Sequence, residues 1–204
     1  MTPLTPEKGG AWGILGGTFD PIHEGHLALA DQIRTRLPLT GVLMVPSWNH
    51  PFKEDNCGAE YKHRAAMLEI ATERHEGIRV SRIEEEEELS GYTLDTVKAL
   101  NDRWPRADWY FIIGSDNLQE LPKWHHTNEI LRVVKFAVGT RYGHDLRIPR
   151  EYPEDRFVMV STEIVDVSSS TLRTRLRNGT DDPMVRSVIP GRVLEYIDKH
   201  GLYR

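Results

Sequence analysis

Trp12-Gly13-Ile14-Leu15-Gly16-Gly17-Thr18-Phe19-Asp20-Pro21-Ile22-His23-Glu24-Gly25-His26 passes from a short apolar segment through two glycines and a proline into a pair of histidines. Gly13 to Phe19 reads as a short buried strand that ends in the glycines. From His26 onward Leu27, Ala30, Ile33 and Leu37 recur at helical spacing until Pro38 stops them. Glycines after a strand let the backbone approach a ligand closely, and a following helix start offers free N–H groups to an anion. G-x-G-x-x-G is absent and no Gly-Lys-Ser/Thr follows, so this is neither the common dinucleotide fingerprint nor a P-loop. His23 and His26 stand where a P-loop would place its lysine. Imidazole N–H donors aimed at phosphate oxygens account for the glycines, the helix start and the histidines together. Half of a metal site is a competing reading, but no cysteine or carboxylate nearby has matching spacing.

The rest of the chain repeats this alternation. Val42–Val45 is an apolar run closed by Pro46, and a polar, proline-interrupted loop extends from Ser47 to Gly58. The spacing predicts a helix over Tyr61–Arg74, a strand through Ile78, Val80 and Ile83, and a helix through Leu94, Val97, Leu100 and Trp104. Trp109–Ile113 is a strand ending in Gly114, and one helical stretch around Leu118 to Leu131 leads into a strand at Val133–Val138. Phe157–Val160 is a further strand, and helices over Ser169–Arg177 and Arg192–His200 each stop at a glycine. Strands alternating with helices predict an α/β fold, a Rossmann-like doubly wound parallel sheet with helices on both faces. Ligands of such sheets bind beyond the carboxyl ends of the strands. Gly16-Gly17, Pro46 onward, Gly114-Ser115-Asp116 and Val167 onward all follow strands, so they point at one face.

At 204 residues the expected organisation is a poorly ordered N-terminal extension over 1–11 and a single domain over 12–204. With 39% hydrophobic and 28% charged residues, the composition is neither disordered nor that of a membrane protein. No apolar run approaches bilayer length, and a single cysteine, Cys57, fits a reducing cytoplasm. The net charge of −5 argues against nucleic acid as a partner, so an anion site must be built locally. The run Glu84–Glu88 reads as a solvated edge.

A second anion-binding pattern lies at Val167-Ser168-Ser169-Ser170-Thr171-Leu172-Arg173, where hydroxyls and free amides open a helix and Arg173 sits in its first turn. Alone it is equally an ordinary helix cap with a surface arginine. Together, the two stretches resemble the nucleotidyltransferase superfamily that carries an H-x-G-H motif, whose second motif reads Ile-Ser-Ser-Thr-x-Ile-Arg. Here Ser170 replaces the threonine and keeps the hydroxyl; the motifs stand in the family's order, about 140 residues apart. Ser90–Thr96, Ile112–Asp116, Leu121-Pro122-Lys123-Trp124-His125 and the ending Ile197–Tyr203 narrow the resemblance to bacterial nicotinate-nucleotide adenylyltransferases.

That resemblance implies transfer of AMP from ATP to nicotinate mononucleotide, giving deamido-NAD and pyrophosphate. It implies catalytic roles for His23, His26, Arg173 and Lys53. ATP would meet Gly16, Gly17, Thr18, Phe19, Gly25, Ile113, Gly114, Asp116, Ser168, Ser169 and Ser170. Trp124 would stack on the pyridine ring, with backbone donors at Thr93 and His125 for its carboxylate. The reaction expected is direct in-line attack of one phosphate on another, with Mg²⁺ carried mainly by ATP phosphates and no protein-held metal. Gly114-Ser115-Asp116 lacks the G-x-S-x-G elbow of a serine nucleophile. Alternatives are an adenylyltransferase for nicotinamide mononucleotide or phosphopantetheine, or a nucleotide-binding module without turnover.

Overall fold

The computed structural model describes residues 5–49, 58–140, 147–163 and 167–204. The apolar runs found in the sequence become strands, the central ones buried on both sides by their neighbours and the edge ones only in part. The strands are β1 (Gly10–Gly17), β2 (Gly41–Pro46), β3 (Ile78–Val80), β4 (Ala107–Gly114), β5 (Lys135–Thr140) and β6 (Phe157–Ser161). They form one sheet in the order β3-β2-β1-β4-β5-β6, with every pairing parallel.

Successive side chains of a strand point to opposite faces, so a parallel sheet covered on both faces needs two cores. On one face Leu15, Val42, Met44, Ile112 and Ala137 pack under α1 (Glu24–Arg36), α2 (Tyr61–Thr72), α7 (Ser169–Leu176), α8 (Pro183–Val188) and α9 (Gly191–His200). On the other, Trp12, Ile14, Leu43, Val45, Phe111, Ile113, Phe136 and Val138 meet α3 (Ile83–Glu86), α4 (Thr93–Arg103), α5 (Ser115–Glu120) and α6 (Thr127–Val133). No helix of the described residues is long and apolar enough to cross a membrane.

The chain builds outward from β1 to β3, then returns to place β4 on β1's other side. Pairing of β1 with β4 ends at Ile14↔Phe111, whereas β1 continues to Gly17 and β4 to Gly114. The two carboxyl ends therefore part, opening a crevice at the point where strand order reverses.

The local pattern misjudged four segments. Residues 6–11, expected to be a poorly ordered extension, make a 3₁₀ turn at Pro6–Lys8 and then join the sheet through Gly10↔Ala107 and Ala11↔Asp108. Ile83 is not a strand end but a buried residue of α3. The single helix expected over 118–131 is interrupted by a 3₁₀ turn at Leu121–Lys123, where Pro122 lacks a backbone donor, and by His126 at φ +59°. The last helical residue before β5 is Val133, read from the sequence as strand. Helix α8 had a legible signal that went unused: Asp182 accepts from the Met184 and Val185 amides, with Pro183 in the first turn.

Gly41 shows how tightly the sheet and its covering layer fit. A Cβ there would lie 2.5 Å from the buried Trp12 ring and 3.0 Å from the Gly77 carbonyl oxygen. Gly41→Ala is expected to lower stability by about 1–3 kcal/mol, through overpacking against an immovable indole. Urea denaturation should show an earlier midpoint with an unchanged slope; an unshifted midpoint would contradict this packing.

Candidate active site

Beyond the carboxyl ends of β1 and β4 lies a cavity of about 910 Å³. Its wall takes residues from the start of several helices: His23, Gly25 and His26 at α1, Tyr92 and Thr93 at α4, Ser115 and Asp116 at α5, Ser168 and Ser169 at α7. Each of these helices begins at the shared space, so the positive ends of their dipoles meet there.

The two histidines form the most constrained part of the wall. Their rings stack with centroids 3.7 Å apart, and the His23 backbone N–H donates to His26 Nδ1 at 3.3 Å. That bond makes Nδ1 the acceptor, so a neutral His26 carries its proton on Nε2. Phe19 is held at φ +49° with its edge against the His26 ring, 5.1 Å between centroids. His23 is 5% exposed and its Nδ1 is buried without a hydrogen-bond partner. Burial pushes the His23 pKa down to about 4. Burial, with His23 beside it, holds His26 well below the ordinary imidazole value. Near neutral pH both rings are uncharged.

The second motif meets the first across the chain. Ser169 Oγ donates to the Pro21 carbonyl at 3.1 Å, and Arg173 Nη1 donates to the Asp20 carbonyl at 2.8 Å. Ser168 caps α7, accepting from the Thr171 amide at 3.2 Å. Thus Ser168 and Ser169 line the cavity, whereas Ser170, Thr18 and Phe19 do not. Arg173 does not line it either. Its guanidinium, 25% exposed, braces the outer side of the turn between β1 and α1. Gly16, Gly17, Ile113, Gly114 and Asp116 are in the wall as expected. Lys53 lies outside the described residues.

At the other end of the cavity stand Tyr92, Thr93, Lys123, Trp124 and His125. Trp124 is fixed edge-on by Phe111 and Phe136, with centroids 5.9 and 6.1 Å away. The His125 ring stacks on Tyr92 at 4.7 Å. A flat aromatic wall beside a helix start suits a planar, anionic ring.

Three supporting residues escaped the sequence reading. Glu84, expected to be solvated with the rest of its run, is 6% exposed. It accepts from the Trp48 amide at 2.9 Å and from Thr96 Oγ1 at 2.6 Å, while burial raises its pKa. The only signal was its position beside apolar Ile83, which α3 turns inward. Arg64, buried in α2, donates to the Thr18 carbonyl at 2.7 Å and the Ser47 carbonyl at 2.8 Å, stapling the loops that follow β1 and β2. Asp20 is 1% exposed and accepts from the amides of Gly58 and Ala59 and from the Tyr203 hydroxyl. No local pattern reveals partners so distant in sequence.

Residues 14–175 match the Cytidylyltransferase-like family model. The chain is 38% identical over 191 residues to a protein of Oceanobacillus iheyensis named "Probable nicotinate-nucleotide adenylyltransferase", covering 94% of this chain and 95% of that one. A protein of the same name from Streptococcus mutans is 38% identical over 192 residues, covering 94% and 88%. The fold is similar to that of the Plasmodium falciparum nicotinic acid mononucleotide adenylyltransferase complexed with NaAD, at TM-score 0.76 and 22% identity, covering 95% and 97%. The family model over residues 14–175 and 38% identity over nearly the whole of both chains place this chain in the nicotinate-nucleotide adenylyltransferases, within the wider cytidylyltransferase-like family.

Proposed function

We propose that the protein transfers AMP from ATP to nicotinate mononucleotide, releasing pyrophosphate and forming nicotinate adenine dinucleotide. The observation that carries this reading is the stacked, uncharged His23–His26 pair, set at a helix start in a cavity shared with Ser168 and Ser169. ATP takes the side formed by Gly16, Gly17, Gly25, Ile113, Gly114, Asp116, Ser168 and Ser169. The mononucleotide takes the side of Trp124, with Thr93 and His125 toward its carboxylate.

Two mutually repelling phosphates must meet in line for the α-phosphorus to change partners. The protein's part is to hold them there and to neutralise charge as pyrophosphate leaves. His23 and His26 donate to phosphate oxygens as charge builds, helped by the α1 and α7 amides. Arg173 fixes the turn that carries both histidines and contributes positive charge from behind it, and the family resemblance adds Lys53 as a further source of positive charge. Mg²⁺ carried by ATP would supply further neutralisation of phosphate charge. Among the described residues no group of three histidine, cysteine, aspartate or glutamate side chains is placed to hold a metal ion.

Pyrophosphate release should be fast with ATP and nicotinate mononucleotide, and at least tenfold less efficient in kcat/KM with nicotinamide mononucleotide. Preference for the amide would contradict the acceptor proposed here. His26→Ala removes one transition-state donor and is expected to lower kcat by on the order of 10²–10³. A turnover within a few-fold of the unaltered protein would remove His26 from the mechanism.

A further inference from the structure

The Asp20 side chain is the meeting point of four segments that are remote in sequence. Its carboxylate accepts from the Gly58 amide at 2.6 Å, the Ala59 amide at 3.1 Å and the Tyr203 hydroxyl at 2.7 Å. The Arg173 guanidinium lies 3.7 Å from the same carboxylate while donating to the Asp20 backbone carbonyl. Tyr203, the penultimate residue, is 8% exposed and is turned inward at φ +66° after α9 ends at Gly201. Gly58 fits between these groups. A Cβ on it would lie 2.7 Å from Arg173 Cδ and 2.8 Å from the Tyr203 ring.

We infer that Tyr203 is a positioning residue of the phosphate-binding end, acting through Asp20 on Arg173 and on the turn that carries His23. Tyr203 does not line the cavity, so it does not act as a catalytic group. Its hydroxyl completes the donors around a buried carboxylate, and a buried acceptor stripped of one donor readjusts its remaining partners. Those partners are the groups whose placement matters to phosphate. Arg173 can swing toward the carboxylate and away from the Asp20 carbonyl, and the turn before His23 loses its fixed geometry. Burial and the neighbouring Asp20 hold the phenol far above its ordinary pKa, so it stays a donor throughout the working range. The pyridine end, built on Trp124 and α4, shares none of these contacts. Loss of the hydroxyl should therefore be felt on one substrate and not on the other.

This rests on the proposed reaction. The test is steady-state kinetics of Tyr203→Phe, with ATP and nicotinate mononucleotide varied separately and thermal unfolding followed alongside. The expected result is a roughly tenfold lower kcat and a several-fold higher KM for ATP, with the KM for nicotinate mononucleotide within twofold. Values for ATP within twofold of the unaltered protein would overturn the inference. So would equal rises in both KM values, which mark general loosening. If Tyr203→Phe does not fold, Asp20→Asn decides on the same criterion, an ATP-selective defect supporting the inference and an unselective one ending it. An unaltered protein that releases no pyrophosphate defeats the proposed reaction; an active protein indifferent to Tyr203→Phe defeats only the role of Tyr203.

Discussion

Charge sets the problem that this architecture solves. A chain with 31 acidic and 26 basic residues has to hold polyanions, and among the described residues the cavity wall offers Lys123 as its cation against the carboxylates of Glu84, Asp116 and Glu163. Among the described residues of the wall, the groups offered to an anion are mostly without formal charge: helix-start amides and two imidazoles kept neutral by burial. A phosphate placed beside these rings, as proposed, would favour the imidazolium and raise the positive character of the site.

That solution depends on the sheet. Parallel strands send each following helix back from the same edge, so helix starts accumulate there. The divergence of β1 and β4 beyond Ile14 and Phe111 gives them a space to face. What remains is to hold irregular loops in place, and buried polar side chains do that. Arg64 ties two loop carbonyls, Glu84 ties Trp48 to α4, and Asp20 gathers the C-terminus, residues 58–59 and Arg173. Glu84 and Asp20 are each satisfied by several partners, which is how a buried polar group contributes order instead of strain, while Arg64 donates through both terminal nitrogens and leaves its Nε without a partner.

The parts legible in the sequence are those written in local periodicity. Alternating apolar runs gave the strands, and the glycine turn before His23 gave the first helix start. The serines at 168–170 placed the second motif opposite it. Resemblance to a family added the pyridine end, where Trp124 and His125 do line the cavity. Contacts between distant segments were not legible. Arg173 was expected at the phosphates, yet its guanidinium is taken up by Asp20. Glu84 looked like its four neighbours, and only the inward turn of α3 separates it from them. Pro122 and His126 break what periodicity alone reads as one helix, and so leave Trp124 extended and His125 in a turn at the cavity.

The neutrality of the imidazole pair is directly observable. Ring resonances of His23 and His26 followed by NMR as pH falls, first in the free protein and then with ATP and Mg²⁺, report each charge state. As pH drops from neutral, the free His23 ring should stay uncharged until about pH 4, and His26 should also titrate far below 6.5. With nucleotide bound, both midpoints should move upward, since phosphate stabilises the protonated form. Midpoints near 6.5 in the free protein, or values that ignore the nucleotide, would contradict the account.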